Sequence, residues 1–226
     1  KAWKTAQEGR PGPVVISLPE DMLYDPVHHS SLSPVIIEKP MPDEAALDQL
    51  ANMIKAAQSP VIIAGGSCWS DDAITSLEKL AITADIPVIC SFRRQRLMNN
   101  LSPAYAGDLG LGCNPAILSR IKDSDLVILL GGRMSEIPSQ SYSLFDIPHP
   151  QMRFVHIHRD QNELGRVYTP ILSIASIEDA VIDGLLARLD IVAETRRINA
   201  AHTDFLDWTA PIPEQPGQVN MSKVVT

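Results

Sequence analysis

Three glycine-bearing turns, Gly65-Gly66-Ser67, Gly107 to Gly112 and Gly131-Gly132, each follow an aliphatic stretch in this 226-residue chain. Glycine at the carboxyl end of a strand lets backbone N–H groups come close to a phosphate or a ribose. Gly65, Gly66, Ser67, Gly107, Gly110 and Gly131 are therefore candidate ligand contacts. Arg133, directly after the third turn, is a candidate charge-assisted partner for a phosphate. The competing reading is that these glycines only make tight strand-to-helix turns. None of the three matches G-x-G-x-x-G; the middle one reads G-x-x-G-x-G, and no Walker motif is present. The loop Arg93-Arg94-Gln95-Arg96 adds three guanidiniums, for which a solvated loop is the plainer reading.

Other chemistry is sparse. His156 and His158 alternate in a strand-like run and so share a face. A metal would need a third ligand, and Asp160 is the one nearby choice, so hydrogen-bonded structural histidines are the better reading. No G-x-S-x-G elbow occurs. His28-His29 sit in a proline-rich stretch and read as surface linker. Cys68, Cys90 and Cys113 are odd in number and lack metal-ligand spacing. They read as small buried hydrophobes in a reducing, cytoplasmic setting.

The elements that must position these groups are regular. Asp43 caps a helix whose Leu47, Leu50, Ala51, Ile54 and Ala57 recur at helical spacing, ended by Pro60. Val61 to Ala64 is a strand. A helix follows from Ser70, with Ile74, Leu77, Leu80 and Ala81 on one face. Pro87 to Cys90 is the next strand, and a weaker one lies near Tyr105. Asn114 caps a helix with Pro115 in its first turn. Leu126 to Leu130, Phe154 to Ile157 and Ile171 to Ile174 complete the strands. Ser176 and Asp179 read as a capping box for a last helix lined by Ile177, Val181, Leu185 and Leu189. Near-continuous aliphatic strands alternating with helices predict a parallel, doubly wound α/β sheet covered on both faces.

The chain carries 19 basic and 27 acidic residues, a net charge of −8, which disfavours nucleic acid and anionic membrane surfaces as partners. Its longest aliphatic run is far short of the roughly 20 residues of a membrane span. Proline clusters at 11–42 and 211–216 bracket the regular alternation and read as linkers. Residues 1–10 read as the tail of a helix, Gly12 to Pro19 as a strand without sequence neighbours, and Met221 to Thr226 as the start of another helix.

Several of these segments resemble the acetolactate synthase group of thiamine-diphosphate enzymes. Glu8 to Val14 with Leu18-Pro19-Glu20-Asp21 resembles the end of that family's pyrimidine-binding domain. Ala56 to Gly66, Ser102 to Gly110 and Asp123 to Arg133 resemble its central domain, His156 to Gly165 its ribose-side motif, and Val219 to Val225 the start of its diphosphate-binding domain. The resemblance implies a three-layer α/β/α Rossmann-like (DHS-like NAD/FAD-binding) domain with a six-stranded parallel sheet. It implies a division into 1–23, the tail of the pyrimidine-binding domain; 24–42, a linker; 43–190, the central domain; and 191–226, a linker and the start of the next domain. The parent would be a 2-oxo acid decarboxylase or carboligase using thiamine diphosphate and magnesium at sites outside this chain, assembled as a homodimer or homotetramer. On that reading the chain alone carries no catalytic residue; the family's central domain holds FAD or ADP in some members, which would place the glycine turns against the ligand with Asp160 near the ribose, and is empty in others. The sequence departs from the family at His158-Arg159-Asp160, where D-I-D is common, and in its basic 93–96 loop. The rival reading is a non-catalytic nucleotide-binding or scaffolding module.

Overall fold

A computed structural model describes residues 1–28, 33–190 and 194–210. Six strands form one all-parallel sheet: β1 (Pro60–Ala64), β2 (Val88–Ser91), β3 (Tyr105–Leu109), β4 (Leu126–Leu130), β5 (Arg153–His158) and β6 (Leu172–Ala175). Their spatial order is β3-β2-β1-β4-β5-β6, so the chain reverses its direction of travel across the sheet between β1 and β4. This is the doubly wound order, and its reversal point opens a crevice outside the strand ends.

Strand periodicity divides the core in two. Ile62, Ala64, Leu126, Ile128, Leu130, Val155 and Ile157 face one side. A short helix, α1 (Ala2–Thr5), opens the chain; helices α2 (Glu44–Ala56), α3 (Asp71–Ala84) and α5 (Glu178–Leu186) meet that face through Leu50, Leu77, Leu80, Val181 and Leu185. Val61, Ile63, Ile89, Val127, Leu129 and Phe154 face the other side, against Ile117 and Ile121 of α4 (Pro115–Lys122) and against Met134, Phe145 and Tyr168. Both faces are buried, which is why the strands read as unbroken aliphatic runs rather than alternating ones.

Three helices start as the sequence predicts. Asp43, Ser70 and Asn114 accept from the backbone N–H of Ala45, Ala73 and Ala116, at 3.2, 2.9 and 2.9 Å. Asp125, just before β4, ties three strand entries together. It accepts from the N–H groups of Gln58 and Ser59, both at 2.9 Å, and pairs with Arg153 at 3.0 Å. Partial desolvation pushes the Asp125 carboxyl up, but these donors outweigh it and hold the group below its ordinary range.

The structure corrects three expectations. The predicted capping box at Ser176 does not form: Ile177 is the N-cap, and the Ser176 hydroxyl donates to the Ile177 carbonyl at 2.9 Å. Asp179 instead accepts from Ser70 at the start of α3, so a tertiary partner wins over the local one. Residues 12–19 are not a strand; Val15, Ile16 and Leu18 are exposed and pair with no neighbour among the described residues. Pro11, Pro13 and Pro19 lack the N–H that a ladder uses.

The third correction concerns the described part of 191–226, a span read as a linker and the start of the next domain. Within it, α6 (Arg196–Thr209) packs on the exposed edge of the sheet at β3. Ile198 enters one core and Ala201 the other, so α6 straddles the edge. Phe205 meets Tyr105 edge-on at 4.8 Å, and His202 Nδ1 lies 2.8 Å from the Tyr105 carbonyl. A covered edge strand is not free to pair with another chain. The 211–216 proline cluster, Val219 to Val225 and His29 lie outside the described residues.

Candidate functional site

The turns after β1 and β4 meet where the sheet reverses. Gly65 N–H donates to the Leu130 carbonyl at 2.9 Å, and Gly131 N–H to the Ile157 carbonyl at 2.9 Å. A Cβ on Gly65 would lie 2.9 Å from the Gly132 Cα, and one on Gly66 would run into the Gly131 carbonyl oxygen. Gly66 and Gly131 also have φ of +83° and +71°, where L side chains are strained. The two glycine pairs are thus required by backbone-to-backbone packing, and the same packing leaves a crevice above them.

That crevice, about 190 Å³ and open to solvent, is lined by Gly66, Ser67, Gly131, Gly132 and Arg133, with Gly65 directly behind. The other predicted contacts fall elsewhere. Gly107 and Gly110 border a separate depression between the β3 end and α6, with Phe205 and Trp208. Asp160 stands beside the crevice, but its carboxylate is occupied: it accepts from Asn162 N–H at 3.0 Å, Asn162 Nδ2 at 2.9 Å and Arg10 N–H at 3.3 Å. Modest desolvation raises the Asp160 carboxyl, and these donors together hold it below the ordinary range. It anchors the N-terminal segment rather than facing the cleft.

Three more arginines line the crevice, of which only Arg94, in the basic loop that reads as solvated, stood out in the sequence. Arg10 reaches the crevice from the N-terminal segment, Arg94 from the loop after β2, and Arg159 from the end of β5. Of the basic loop, Arg93 stacks over the Phe92 ring at 5.0 Å and is exposed, as is Arg96. Glu163, almost wholly buried, draws Arg166, Arg10 and Arg133 toward one carboxylate oxygen at 3.4, 3.6 and 3.9 Å. One negative charge among three positive ones leaves the region electropositive, which suits an anion. Glu178 completes the wall; only its place at the start of the last helix hinted at it, and an acidic residue there is ordinary.

His156 and His158 share the β5 face that the sequence assigns them. His156 Nε2 lies 3.0 Å from the Gly132 carbonyl, and His158 Nδ1 accepts from the Asp160 N–H at 3.0 Å. Burial pushes His156 down to about 4, only partly opposed by its hydrogen bond to Gly132. Folded His156 therefore stays neutral where the unfolded chain takes up a proton. Its contribution to stability is complete above the ordinary value of 6.5 and is lost as pH falls toward 4. Urea unfolding across that window should lose stability with a slope of about one proton, and H156F should flatten it. An unchanged slope in H156F would assign the proton elsewhere.

Among the described residues, no three His, Cys, Asp or Glu side chains form a group that could hold a metal ion. The residues around the crevice offer a different donor set. They do fit an anionic nucleotide: a glycine cradle, arginines around its mouth, and two buried polar atoms without partners, Arg159 Nε and Glu178 Oε2.

Fold and crevice define the class, a doubly wound, all-parallel α/β domain. The family follows from comparison: the profile described as thiamine pyrophosphate enzyme, central domain, matches residues 47–185. The chain belongs to that family. It is 29% identical over 220 residues to the acetolactate synthase isozyme 1 large subunit of Escherichia coli K12, covering 94% of this chain and 37% of that protein. It is 28% identical over 196 residues to a sulfoacetaldehyde acetyltransferase of Alcaligenes xylosoxydans xylosoxydans, covering 86% and 32%. The crystal structure of benzoylformate decarboxylase from Polynucleobacter necessarius shares the fold, with a TM-score of 0.64 and 18% identity over 86% of this chain and 35% of that one. The chain thus spans about a third of the length of these relatives.

Proposed function

We propose that this chain is the central domain of a thiamine-diphosphate-dependent 2-oxo acid decarboxylase or carboligase, and that it is catalytically inert when isolated. The observation that carries this reading is the match of the central-domain family across 47–185, the span that builds the sheet and most of the crevice. Relatives named acetolactate synthase and sulfoacetaldehyde acetyltransferase support an acyl-transferring parent. Thiamine diphosphate, with magnesium, supplies the carbanion-stabilising chemistry in such enzymes, and here its site would lie outside the described residues. A reducing, cytoplasmic setting and a homodimer or homotetramer belong to the same proposal.

The part this domain plays is to bind FAD or ADP in the β1/β4 crevice. Arg10, Arg94 and Arg133 would meet the phosphates while the glycine turns let the backbone come close. Both halves are testable. The protein with its flanking domains, given thiamine diphosphate and magnesium, should release CO2 from pyruvate or another 2-oxo acid, and the 226-residue chain should not. A protein that binds the cofactor but decarboxylates no 2-oxo acid would overturn the first half. Calorimetry with ADP and FAD tests the second, and absence of heat at millimolar ligand would leave only a scaffolding role.

A further inference from the structure

Glu178 is the first residue of α5, and it is only 1% exposed, yet it lines the crevice. Its Oε2 has no hydrogen-bond partner. Its Oε1 sits so near Gly131 that a Cβ there would be 2.7 Å away, so the absent side chain at 131 makes room for this carboxyl. Arg159, whose Nε is also without a partner, lines the same cavity and acts electrostatically on Glu178 without forming an ion pair with it. Burial drives the Glu178 carboxyl up, offset in part by its own backbone N–H and by Arg159. A buried carboxyl that leaves one oxygen unpaired costs stability. Nothing in the packing calls for it, since Val181 and Leu185 already seat α5 on the core.

The crevice is therefore polarised. Its mouth carries half-exposed guanidiniums, Arg10 and Arg133, and its wall carries a buried acid. Building on the nucleotide reading above, we propose that Glu178 is the specificity-determining residue of the crevice. It hydrogen-bonds an N–H or O–H of the ligand's nucleoside portion, while the arginines hold the phosphates at the mouth. The ligand class is then a nucleoside diphosphate or its conjugate, oriented with phosphate outward and nucleoside inward. A free diphosphate would use the mouth alone.

The test compares ADP with pyrophosphate by calorimetry on the full chain, in wild type, E178M, E178Q and R133A. E178M should weaken ADP at least about tenfold, the loss of one buried hydrogen bond, and leave pyrophosphate affinity unchanged. R133A should weaken both. E178Q keeps a polar group and should fall between wild type and E178M for ADP. Without ligand, E178M should melt above wild type, because the unpaired carboxyl is gone. Equal losses for ADP and pyrophosphate in E178M, or unchanged ADP affinity, would overturn the assignment while leaving the nucleotide reading intact. A lowered melting temperature in unliganded E178M would show that the carboxyl has a partner and would overturn it too. No heat from wild type with ADP or FAD would overturn the nucleotide reading and this assignment together.

Discussion

The G66A chain should melt roughly 6–12 °C below wild type, the shift that about 3 kcal/mol produces in a domain of this size. Two costs add. Gly66 has φ of +83°, a conformation that charges any L side chain about 1–2 kcal/mol. Its Cβ would also collide with the Gly131 carbonyl, which is backbone and cannot rotate away. Relieving such overpacking costs about 1–3 kcal/mol. Two other glycines separate the terms. Gly112 has φ of +69° but nothing within 4 Å of a Cβ, so G112A should show the conformational cost alone. Gly12 has neither burden, so G12A should be nearly silent. If G66A and G112A melt together, the two turns at the sheet's reversal point do not interlock as described. Because the collision moves the crevice floor, G66A should also weaken ADP binding more than its residual stability accounts for.

The second large effect falls on α6. Asp85 ends α3 in the left-handed conformation, φ +51°, and is 6% exposed on its side chain. Its two carboxylate oxygens accept from the N–H groups of Arg197 and Ile198 at 3.0 and 2.9 Å, capping α6 from a distant part of the chain. Arg197 returns to the Asp85 and Ala84 carbonyls at 2.9 and 3.1 Å and pairs with the Asp85 carboxylate at 3.2 Å. D85A removes the cap, strands a half-buried guanidinium and puts a Cβ-only residue at positive φ. The expected loss is about 3–4 kcal/mol, the low end for breaking a buried pair, with the cap included. D85N tolerates the left-handed backbone and keeps an acceptor, so it should lose about half as much. Urea unfolding gives the magnitudes. Hydrogen exchange gives the mechanism: 196–209 should lose protection first in D85A, followed by β3, whose edge α6 covers. If α6 exchanges as slowly in D85A as in wild type, the Asp85–Arg197 clamp does not hold it.

Much of the fold was legible because its signals are local. Short aliphatic runs gave five of the strands, and a weaker signal near Tyr105 marked the sixth. Asp43, Ser70 and Asn114 announced helix starts because an acceptor two or three residues before a free N–H is a short-range arrangement. Ser176 and Asp179 show the limit. The local pattern for a capping box was present, but Ser70, 109 residues away along the chain, took the Asp179 carboxylate. In the same way α6 read as linker, because its anchor is Asp85 and its partner strand is β3, neither adjacent to it in sequence.

The candidate site divides along the same line. Gly65, Gly66, Ser67, Gly131 and Arg133, which the fold gathers at one crevice, were legible as candidates because glycine after a strand is visible in one dimension. Gly107 and Gly110 share that local signature but lie at β3, two strands from the reversal point, so they border a different depression. Arg10, Arg159 and Glu178 carried no such signal and Arg94 read as part of a solvated loop, since each is an ordinary charged residue until the fold brings four segments to one crevice. Sequence by itself determined the strands, most helix starts, the alternation and the family. These rest on backbone conformation and burial period, which neighbouring residues dictate. Tertiary structure alone decided which glycines meet, which acids are spent as anchors, and which one is left buried without a partner. Those depend on strand order, and strand order is set by packing between residues far apart in the chain.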